Sequence, residues 1–445
     1  MCVDFGSTFT KAVAVDVADG QVLATASSPT TIDSDLADGL DSALAPLTGV
    51  RGPVVAANPY ADVIACSSAG GGLRLAVVGY ERAVTAEAGY RVGLSAGARV
   101  EHVSAGPLDD EDLAALRDSR PDVVLLVGGT DGGNADVLTH NARALGRAGL
   151  GVPVVVAGNV EAAEQVGRLV RRGAATVTVT ANVLPRIGTL DPTPAREAIR
   201  EVFISHVIGG KHLSRRLDLS AIVRAATPDA VLAGVELLAD LVGDVALVDV
   251  GGATTDVYSV VTPDAEELAA AQEVVATLWR SRTVEGDLGV RWNAPGVVAA
   301  AATEGLLDDA AAEALRSAAA ARAADPQLLP ASPDERLVDE RLAALAATVA
   351  LRRHARPHDS GGVRHPGKDL RRVRLVVGSG GVFRHDPAGA AQRRLVGAVG
   401  DLAGGWKLPE AARTVIDHDY VMAAAGLIAA TNPAAARSLL ARAFG

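Results

Sequence analysis

The sequence is poor in lysine and in aromatic residues. Lysine occurs only at Lys11, Lys211, Lys368 and Lys407, so arginine carries most of the positive charge. Aromatic side chains make up 3% of the chain, and the hydrophobic cores must therefore be built from Val, Leu, Ile and Ala. The net charge of −11 argues against general nucleic-acid binding, because a phosphate backbone needs a positive protein face.

The sequence also lacks paired cysteines and long apolar runs. Cys2 and Cys66 are the only two cysteines and cannot form a zinc cage. A disulfide between them is not expected, which favours a reduced, cytoplasmic protein. No apolar run reaches the roughly eighteen residues that a membrane span requires, so no such span is predicted. With 445 residues the chain is too long for one compact core, and two or three domains are predicted.

Hydrophobic periodicity divides the chain into regions of different type. Residues 1–32 read as a β-meander, and 35–47 as an amphipathic helix. Between 54 and 179, apolar runs typical of parallel strands alternate with helical patterns. A second half begins with a strand at 246–250. Residues 296–324 predict one long helical region, and 352–374, which are rich in Arg, His, Gly and Pro, predict a solvated loop.

Two segments combine the residue types that bind a triphosphate. Glycine lets backbone N–H groups approach phosphate oxygens, Ser and Thr add donors, and an Asp at a strand end can hold Mg²⁺ through its water shell. Either segment alone could be an ordinary hairpin turn, but two in this order favour a phosphate site. The first consists of Asp4, Gly6, Ser7, Thr8, Thr10 and Lys11, and the second of Asp249, Gly251, Gly252, Thr254, Thr255 and Asp256.

These segments resemble the phosphate-1 and phosphate-2 motifs of the actin, hexokinase and heat-shock-chaperone ATPase superfamily, and 376–383 is similar to its adenosine loop. Further segments extend the resemblance to MutL-type accessory proteins associated with adenosylcobalamin-dependent glutamate mutase. They are 29–32, 66–74, 128–141, 247–259 and 283–291. The resemblance covers nearly the whole chain.

The resemblance implies an α/β, actin-like ATPase fold of two related lobes with an inserted α/β domain. Residues 1–50 would begin the first lobe, 51–185 would form the inserted unit, and 186–445 would complete the core. It also implies a Mg²⁺- and ATP-dependent chaperone that releases damaged cobalamin from a mutase partner.

Site residues follow from the same resemblance. Asp4 and Asp249 would be the carboxylates on the Mg²⁺ side, and either could orient the attacking water. Gly6, Lys11, Asp256 and the hydroxyl and glycine residues of both segments would surround the phosphates. Gly378, Gly380 and Gly381 would face adenosine.

Two further segments have open interpretations. The run 128–134 (GGTDGGN) is similar to an adenosine loop, but a tight strand-to-helix turn with Asn134 near the N-cap, or a separate ligand site, fits its position better. Glu285 and Asp287 flank Gly286 and could reach Mg²⁺, a water or the partner, or lie on a solvated turn. The spacing from Gly362 to Lys368 imitates a P-loop, but Asp369 replaces the required Ser or Thr.

Two other classes of function remain as alternatives. A small-molecule kinase would use the same cleft, and an actin-like scaffold would use the nucleotide only as a switch. The sequence contains no Asp-x-His-x-x-Gly cobalamin-binding signature, which argues that the chain is not the mutase itself.

Overall fold

The computed structural model describes residues 1–50, 60–69, 72–210, 213–262, 280–360, 363–365, 367–385, 389–401 and 403–445. Within these ranges the strands form three five-stranded sheets and one two-stranded hairpin. In chain order the strands are β1 (Cys2–Phe5), β2 (Phe9–Asp16), β3 (Gln21–Pro29), β4 (Ile64–Ser67), β5 (Arg74–Gly79), β6 (Arg99–Ala105), β7 (Val123–Leu126), β8 (Val154–Val156), β9 (Val177–Val179), β10 (Val223–Ala226), β11 (Val245–Val250), β12 (Thr255–Val260), β13 (Arg280–Glu285), β14 (His358–Ser360), β15 (Val363–His365), β16 (Leu375–Ser379) and β17 (Arg413–Ile416).

Several helices begin at residues that satisfy free backbone N–H groups. Asp35 caps the first helix through the N–H of Ala37, and Ser332 forms a capping box with Glu335. The helices are α1 (Leu36–Leu44), α2 (Glu87–Ser95), α3 (Asp110–Asp118), α4 (Asp136–Ala148), α5 (Ala163–Val170), α6 (Thr193–Val202), α7 (Thr227–Val242), α8 (Ala294–Thr303), α9 (Asp309–Ala324), α10 (Pro333–Ala355), α11 (Gly381–Arg384), α12 (Ala390–Val399), α13 (Val421–Ala429) and α14 (Pro433–Phe444). None of these described helices is long and apolar enough to cross a membrane.

The first sheet and the second sheet share one topology. In the first, the order is β3-β2-β1-β4-β10, with an antiparallel meander of β1, β2 and β3 followed by the parallel strands β4 and β10. In the second, the order is β13-β12-β11-β16-β17 with the same directions. Each sheet therefore has the order 3-2-1-4-5, and we call the two units the first and second lobe.

A third, all-parallel sheet lies between β4 and β10 in the chain. Its order is β6-β5-β7-β8-β9, and its central strands are fully buried. Burial on both faces explains the continuous apolar runs, since helices cover both sides of a parallel sheet. β4 lies within the predicted 51–185 unit but pairs with β1 of the first lobe. The domain boundaries themselves stay a prediction.

Helices α7 and α13 join the two lobes. They follow β10 and β17, which occupy the same position in the two sheets. A Cβ added at Gly426 of α13 would lie 1.9 Å from the carbonyl oxygen of Ala230 on α7, and one at Gly234 would lie 2.2 Å from that of Met422. The two helices thus touch along their backbones, within a core that includes Val13 of β2.

The structure corrects two of the sequence predictions. The helical region at 296–324 is two helices, because Gly305 adopts a φ of 70° after α8 and the Asp308 side chain caps α9. The region 352–374 is not only loop, since α10 continues to Ala355 and β14 pairs with β15. His354 is buried, with its ring nitrogens 2.8 Å from the hydroxyls of Ser259 and Thr283.

Candidate functional site

Each lobe presents one glycine hairpin at the end of its central strand. In the first lobe, the N–H of Gly6 donates to the carbonyl of Phe9 at 3.1 Å. In the second, the N–H of Gly251 donates to the carbonyl of Thr254 at 2.9 Å. In both hairpins an Asp lies two residues before the glycine, as the second-to-last residue of the strand. The two hairpins are therefore closed by the same backbone hydrogen bond.

The two hairpins meet across one cavity. The Oγ1 atom of Thr8 is buried without a hydrogen-bond partner among the described residues, and a Cβ at Gly252 would lie 2.7 Å from it. The cavity has a volume of about 970 Å³, within the upper range of ligand pockets. Among the residues that line it are the predicted Asp4, Gly6, Ser7, Thr8, Lys11, Asp249, Gly251, Gly252, Thr254, Asp256, Gly380 and Gly381.

Three predicted site residues lie outside this lining. Thr10 is buried with its hydroxyl 3.1 Å from that of Thr30, and the hydroxyl of Thr255 donates to the carbonyl of Leu288 at 2.7 Å. Gly378 is a buried residue of β16 that packs against side chains of its own lobe. Strand alternation turns the two threonines away from the cavity. The contacts of these three residues with phosphate or adenosine stay predictions.

The carboxylate of Asp4 is already engaged inside the protein. Lys11, its cross-strand neighbour, donates to Oδ2 at 3.1 Å, and the hydroxyl of Thr227 donates to Oδ1 at 2.5 Å. Burial alone would lower the pKa of Lys11, but the charges of Asp4 and Asp249 outweigh it and raise that pKa. Burial and the charge of Asp4 raise the pKa of the nearby Cys66 thiol. The first lobe therefore brings a neutralised carboxylate to the cavity.

Asp249 has different surroundings. Among the described residues, no Lys or Arg forms an ion pair with it, and its cross-strand neighbour is another carboxylate, Asp256. Desolvation raises the pKa of Asp249; Lys11 opposes that effect, while Asp256 and Asp4 add to it. Asp256 is itself occupied, because Arg282 donates to its Oδ1 at 2.7 Å and Thr254 to its Oδ2 at 2.9 Å.

The donor set suits a metal that keeps most of its water. Mg²⁺ is commonly bound by one or two carboxylates, with waters and phosphate oxygens completing its shell. Asp249 supplies such a carboxylate at the cavity wall, and the unpartnered hydroxyl of Thr8 is a free donor for a phosphate oxygen. In the described part of the chain, no three His, Cys, Asp or Glu side chains are arranged to hold a metal by themselves.

The adenosine-loop segment lies beside the second hairpin. Gly380 has a φ of 113°, and a Cβ there would lie 2.2 Å from the carbonyl oxygen of Val250, so only glycine fits this close approach to β11. The ring of Tyr420 also lines the cavity and lies between two cations, with Lys11 at 4.6 Å and Arg384 at 4.4 Å from its centroid.

Sequence reasoning missed Thr227, Arg282 and Tyr420. Each reaches the cavity from a strand or helix far from the glycine segments in the chain. Thr227 had a detectable signal, because a Thr-Pro pair after an apolar strand is typical of a helix start near a ligand-binding edge. The other two carried no recognisable pattern.

The segment 128–134 forms a strand-to-helix turn, in agreement with one of the interpretations given above. It connects β7 to α4, and the side chain of Asn134 accepts from the N–H of Asp136 at 2.7 Å. Asn182 fixes the turn by donating to the carbonyl of Gly129 at 3.0 Å and to Asp131 at 2.9 Å.

Both carboxylates of the second open segment are ion-paired; Glu285 is largely buried, whereas the side chain of Asp287 is 51% exposed. Arg353 donates to Glu285 at 2.8 Å and to the two oxygens of Asp287 at 2.7 and 2.9 Å. Between them, Gly286 reaches the cavity wall. The segment therefore links α10 to the end of β13 through Arg353.

Two lobes of one topology, each with an Asp-x-Gly hairpin at a shared cleft, define the actin-like ATPase fold, here with an inserted α/β unit. The MutL protein family matches residues 1–444. The chain is 35% identical to Protein MutL of Clostridium tetanomorphum over 450 residues, which cover 97% of this chain and 96% of that one. The chain therefore belongs to the MutL protein family.

Solved structures give weaker matches. Nucleotide-free acetone carboxylase is 17% identical with a TM-score of 0.40, covering 96% of this chain and 69% of that one. Component A of (R)-2-hydroxyglutaryl-CoA dehydratase from Acidaminococcus fermentans is 9% identical with a TM-score of 0.28, covering 100% of this chain and 98% of that one. The fold assignment therefore rests on the strand order of the two lobes and not on these matches.

Proposed function

We propose that this chain binds Mg·ATP between its two lobes and hydrolyses it. The observation that carries this proposal is the meeting of two equivalent glycine hairpins at one cavity, where Thr8 and Gly252 touch. A triphosphate between them would receive backbone N–H groups from both lobes and the free hydroxyl of Thr8. The base and ribose would lie toward Gly380, Gly381 and Tyr420.

The metal would be held by Asp249 through its water shell, and it would neutralise phosphate charge. Asp4 would act through Lys11: their ion pair holds a cation at the cavity wall, where it can contact a phosphate oxygen. Asp249 is the better candidate to orient the attacking water, because its carboxylate has no cation in direct contact within the described residues.

The partner would be an adenosylcobalamin-dependent mutase of the glutamate mutase type. Membership in the MutL family supports an accessory role, and the resemblance described above suggests what that role is. Hydrolysis would change the angle between the lobes and help to release damaged cobalamin from the mutase. This work would take place in the cytoplasm, in keeping with two buried free thiols.

ATP hydrolysis by purified protein tests the nucleotide part. Wild type should hydrolyse ATP in the presence of Mg²⁺, and Asp249→Ala should lower the rate about 100-fold or more, the range found when one transition-state contact is lost. Asp244→Asn is the matched control, since Asp244 lies at the opposite end of the same strand. If Asp249→Ala hydrolyses ATP as wild type does, the site is wrong.

Reactivation of an inactivated mutase tests the partner. The mutase loaded with damaged cobalamin should regain activity when this chain, ATP and fresh cofactor are added, and should not regain it with ADP. Hydrolysis without reactivation would reject the chaperone role and keep the ATPase. ATP-dependent phosphorylation of a metabolite, or nucleotide-dependent light scattering from filaments, would instead support the kinase or the scaffold.

A further inference from the structure

The cavity continues past the phosphate hairpins, away from the adenosine loop. In the second lobe the order β13-β12-β11-β16-β17 places Gly380, at the end of β16, one strand from Asp249 on β11. Strand β13 lies two strands from β11 on the opposite side, or about 10 Å at ordinary strand spacing. Tyr258, Arg282 and Val284 of β12 and β13 line this end. A nucleotide with its base near Gly380 would therefore direct its terminal phosphate toward β13.

One arginine at this end, Arg282, is almost fully buried. The side chain of Arg282 is 5% exposed, and both its Nε and its Nη2 donate to Oδ1 of Asp256, at 3.1 and 2.7 Å. Its Nη1 is buried and has no hydrogen-bond acceptor among the described residues. Asp256 in turn is the cross-strand neighbour of Asp249. Because Nε and Nη2 form the edge of the guanidinium that binds Asp256, the unpartnered Nη1 lies on the edge that points away from this carboxylate.

A buried cationic donor without an acceptor is unfavourable. Such a group loses its bonds to water and gains none in return, which destabilises this state of the cleft. Tyr258 does not supply an anion, because burial raises the pKa of its phenol well above the usual value; its ring lies 5.7 Å from the guanidinium carbon of Arg282. Arginine is the side chain best suited to bind a carboxylate and a phosphate oxygen at once, since its planar group has five donors.

We propose that Arg282 binds the terminal phosphate of the nucleotide and lets the cleft distinguish a triphosphate from a diphosphate. This inference rests on the proposed nucleotide function and deepens it. Nε and Nη2 remain on Asp256, which fixes the plane of the guanidinium, while Nη1 donates to an oxygen of the terminal phosphate. After hydrolysis and release of that phosphate, Nη1 again has no partner, and this weakens the closed cleft.

Nucleotide affinity separates this role from a structural one. We would measure the binding of MgADP and of a non-hydrolysable triphosphate analogue by calorimetry, for wild type, Arg282→Gln and Arg282→Lys. Arg282→Gln should weaken binding of the triphosphate analogue about tenfold or more and change the affinity for MgADP less than twofold. Arg282→Lys, which keeps the charge beside Asp256, should recover part of the loss. Arg280→Gln is the matched control, because Arg280 is half exposed on the same strand.

Each outcome has a distinct meaning. Equal weakening of both nucleotides, or of neither, would overturn the role of Arg282 and leave the proposed function intact. A wild-type chain that binds neither nucleotide would overturn the proposed function, and this proposal with it. If Arg282→Gln unfolds because Asp256 loses its partner, the Asp256→Asn, Arg282→Gln double variant removes both charges, and the comparison of the two nucleotides is made with it and with Arg282→Lys.

Discussion

The two glycine hairpins share a backbone and differ in charge. In the first lobe the residue opposite Asp4 is Lys11, and in the second the residue opposite Asp249 is Asp256. One carboxylate is thus paired within its own hairpin, whereas the other faces a second carboxylate that is bound to Arg282. The two lobes thus share their hairpin geometry and differ in electrostatics: the first presents a lysine at the cavity, and the second presents a carboxylate that has no ion-pair partner among the described residues.

The largest effect on ATP hydrolysis should come from neutralising the carboxylate of each hairpin in turn. Asp249→Asn should lower ATP hydrolysis about 100-fold and abolish its dependence on Mg²⁺ concentration, whereas Asp4→Asn should lower the rate less and keep that dependence. The reason is that, in the proposed site, Asp249 holds the metal and Asp4 acts through its ion pair with Lys11. Initial rates over a Mg²⁺ titration measure both the hydrolysis rate and its dependence on Mg²⁺ concentration. Identical Mg²⁺ responses in the two variants would contradict the division of roles.

The hairpin tips should differ next. Gly252 and Ser7 occupy the same position in the two hairpins, but Gly252 contacts Thr8 and Ser7 is exposed. Gly252→Ala should weaken nucleotide binding about tenfold, because the added methyl group would collide with Thr8 Oγ1 and hold the lobes apart. Ser7→Ala should weaken it only a few-fold, through the loss of one donor. Calorimetry with MgADP compares them, and equal losses would mean that the tips do not meet.

The residues that directly follow β10 and β17 should contribute differently to the pH dependence of stability. At this position the first lobe has Thr227 and the second has Asp417, whose pKa burial raises to about 6 despite N–H groups donated by Val421 and Met422. The folded-state pKa lies above the unfolded value of about 4. The protonated form therefore contributes stability that is complete below pH 4 and lost as pH rises through 6.

Removing that carboxyl should remove the pH dependence. Relative to wild type, Asp417→Asn should gain up to about 3 kcal/mol between pH 4 and pH 7.5, measured as the urea midpoint across that range. Asp369→Asn is the control, because Arg371 lowers the pKa of Asp369 to about 2 and that carboxyl is ionised throughout. A flat difference between wild type and Asp417→Asn would refute the assignment.

The smallest effect should come from the buried threonines. Thr10 and Thr255 occupy equivalent positions and both face away from the cavity. Thr10→Val and Thr255→Val should each leave nucleotide affinity within about twofold of wild type and lower the free energy of unfolding by about 1 kcal/mol, since each removes one buried hydrogen bond. A selective loss of nucleotide affinity in either variant would show that the substituted threonine belongs to the phosphate site.

Local patterns were sufficient to predict the hairpins. Asp, Gly and hydroxyl residues at fixed spacing after a strand depend only on neighbouring residues, so both cavity-lining segments and Gly380 could be found from the sequence. The inclusion of Thr10 and Thr255 in the predicted site did not take strand alternation into account. Strand alternation places Lys11 and Asp256 on the cavity side, and each threonine next to them must then face the other way.

Other features depend on contacts between distant parts of the chain. Arg282 reaches the cavity only because β13 pairs with β12, and Thr227 only because β10 is placed beside β4. The pairing of β4 with β1 likewise joins residues on either side of a long connection. No local periodicity encodes such pairings, which explains why the glycines were predicted while the arginine was not.

The backbone contact between α7 and α13 has a mechanical meaning. Both helices begin at the cleft, where Thr227 bonds to Asp4 and Asp417 caps the start of α13. Farther along, Gly234 lies against the backbone of Met422 and Gly426 against that of Ala230, so the two helices approach closely. Two helices in close backbone contact can rotate against each other without separating interdigitated side chains. If the lobes move when a nucleotide binds, as the proposed function requires, we expect this helix pair to act as the hinge between them.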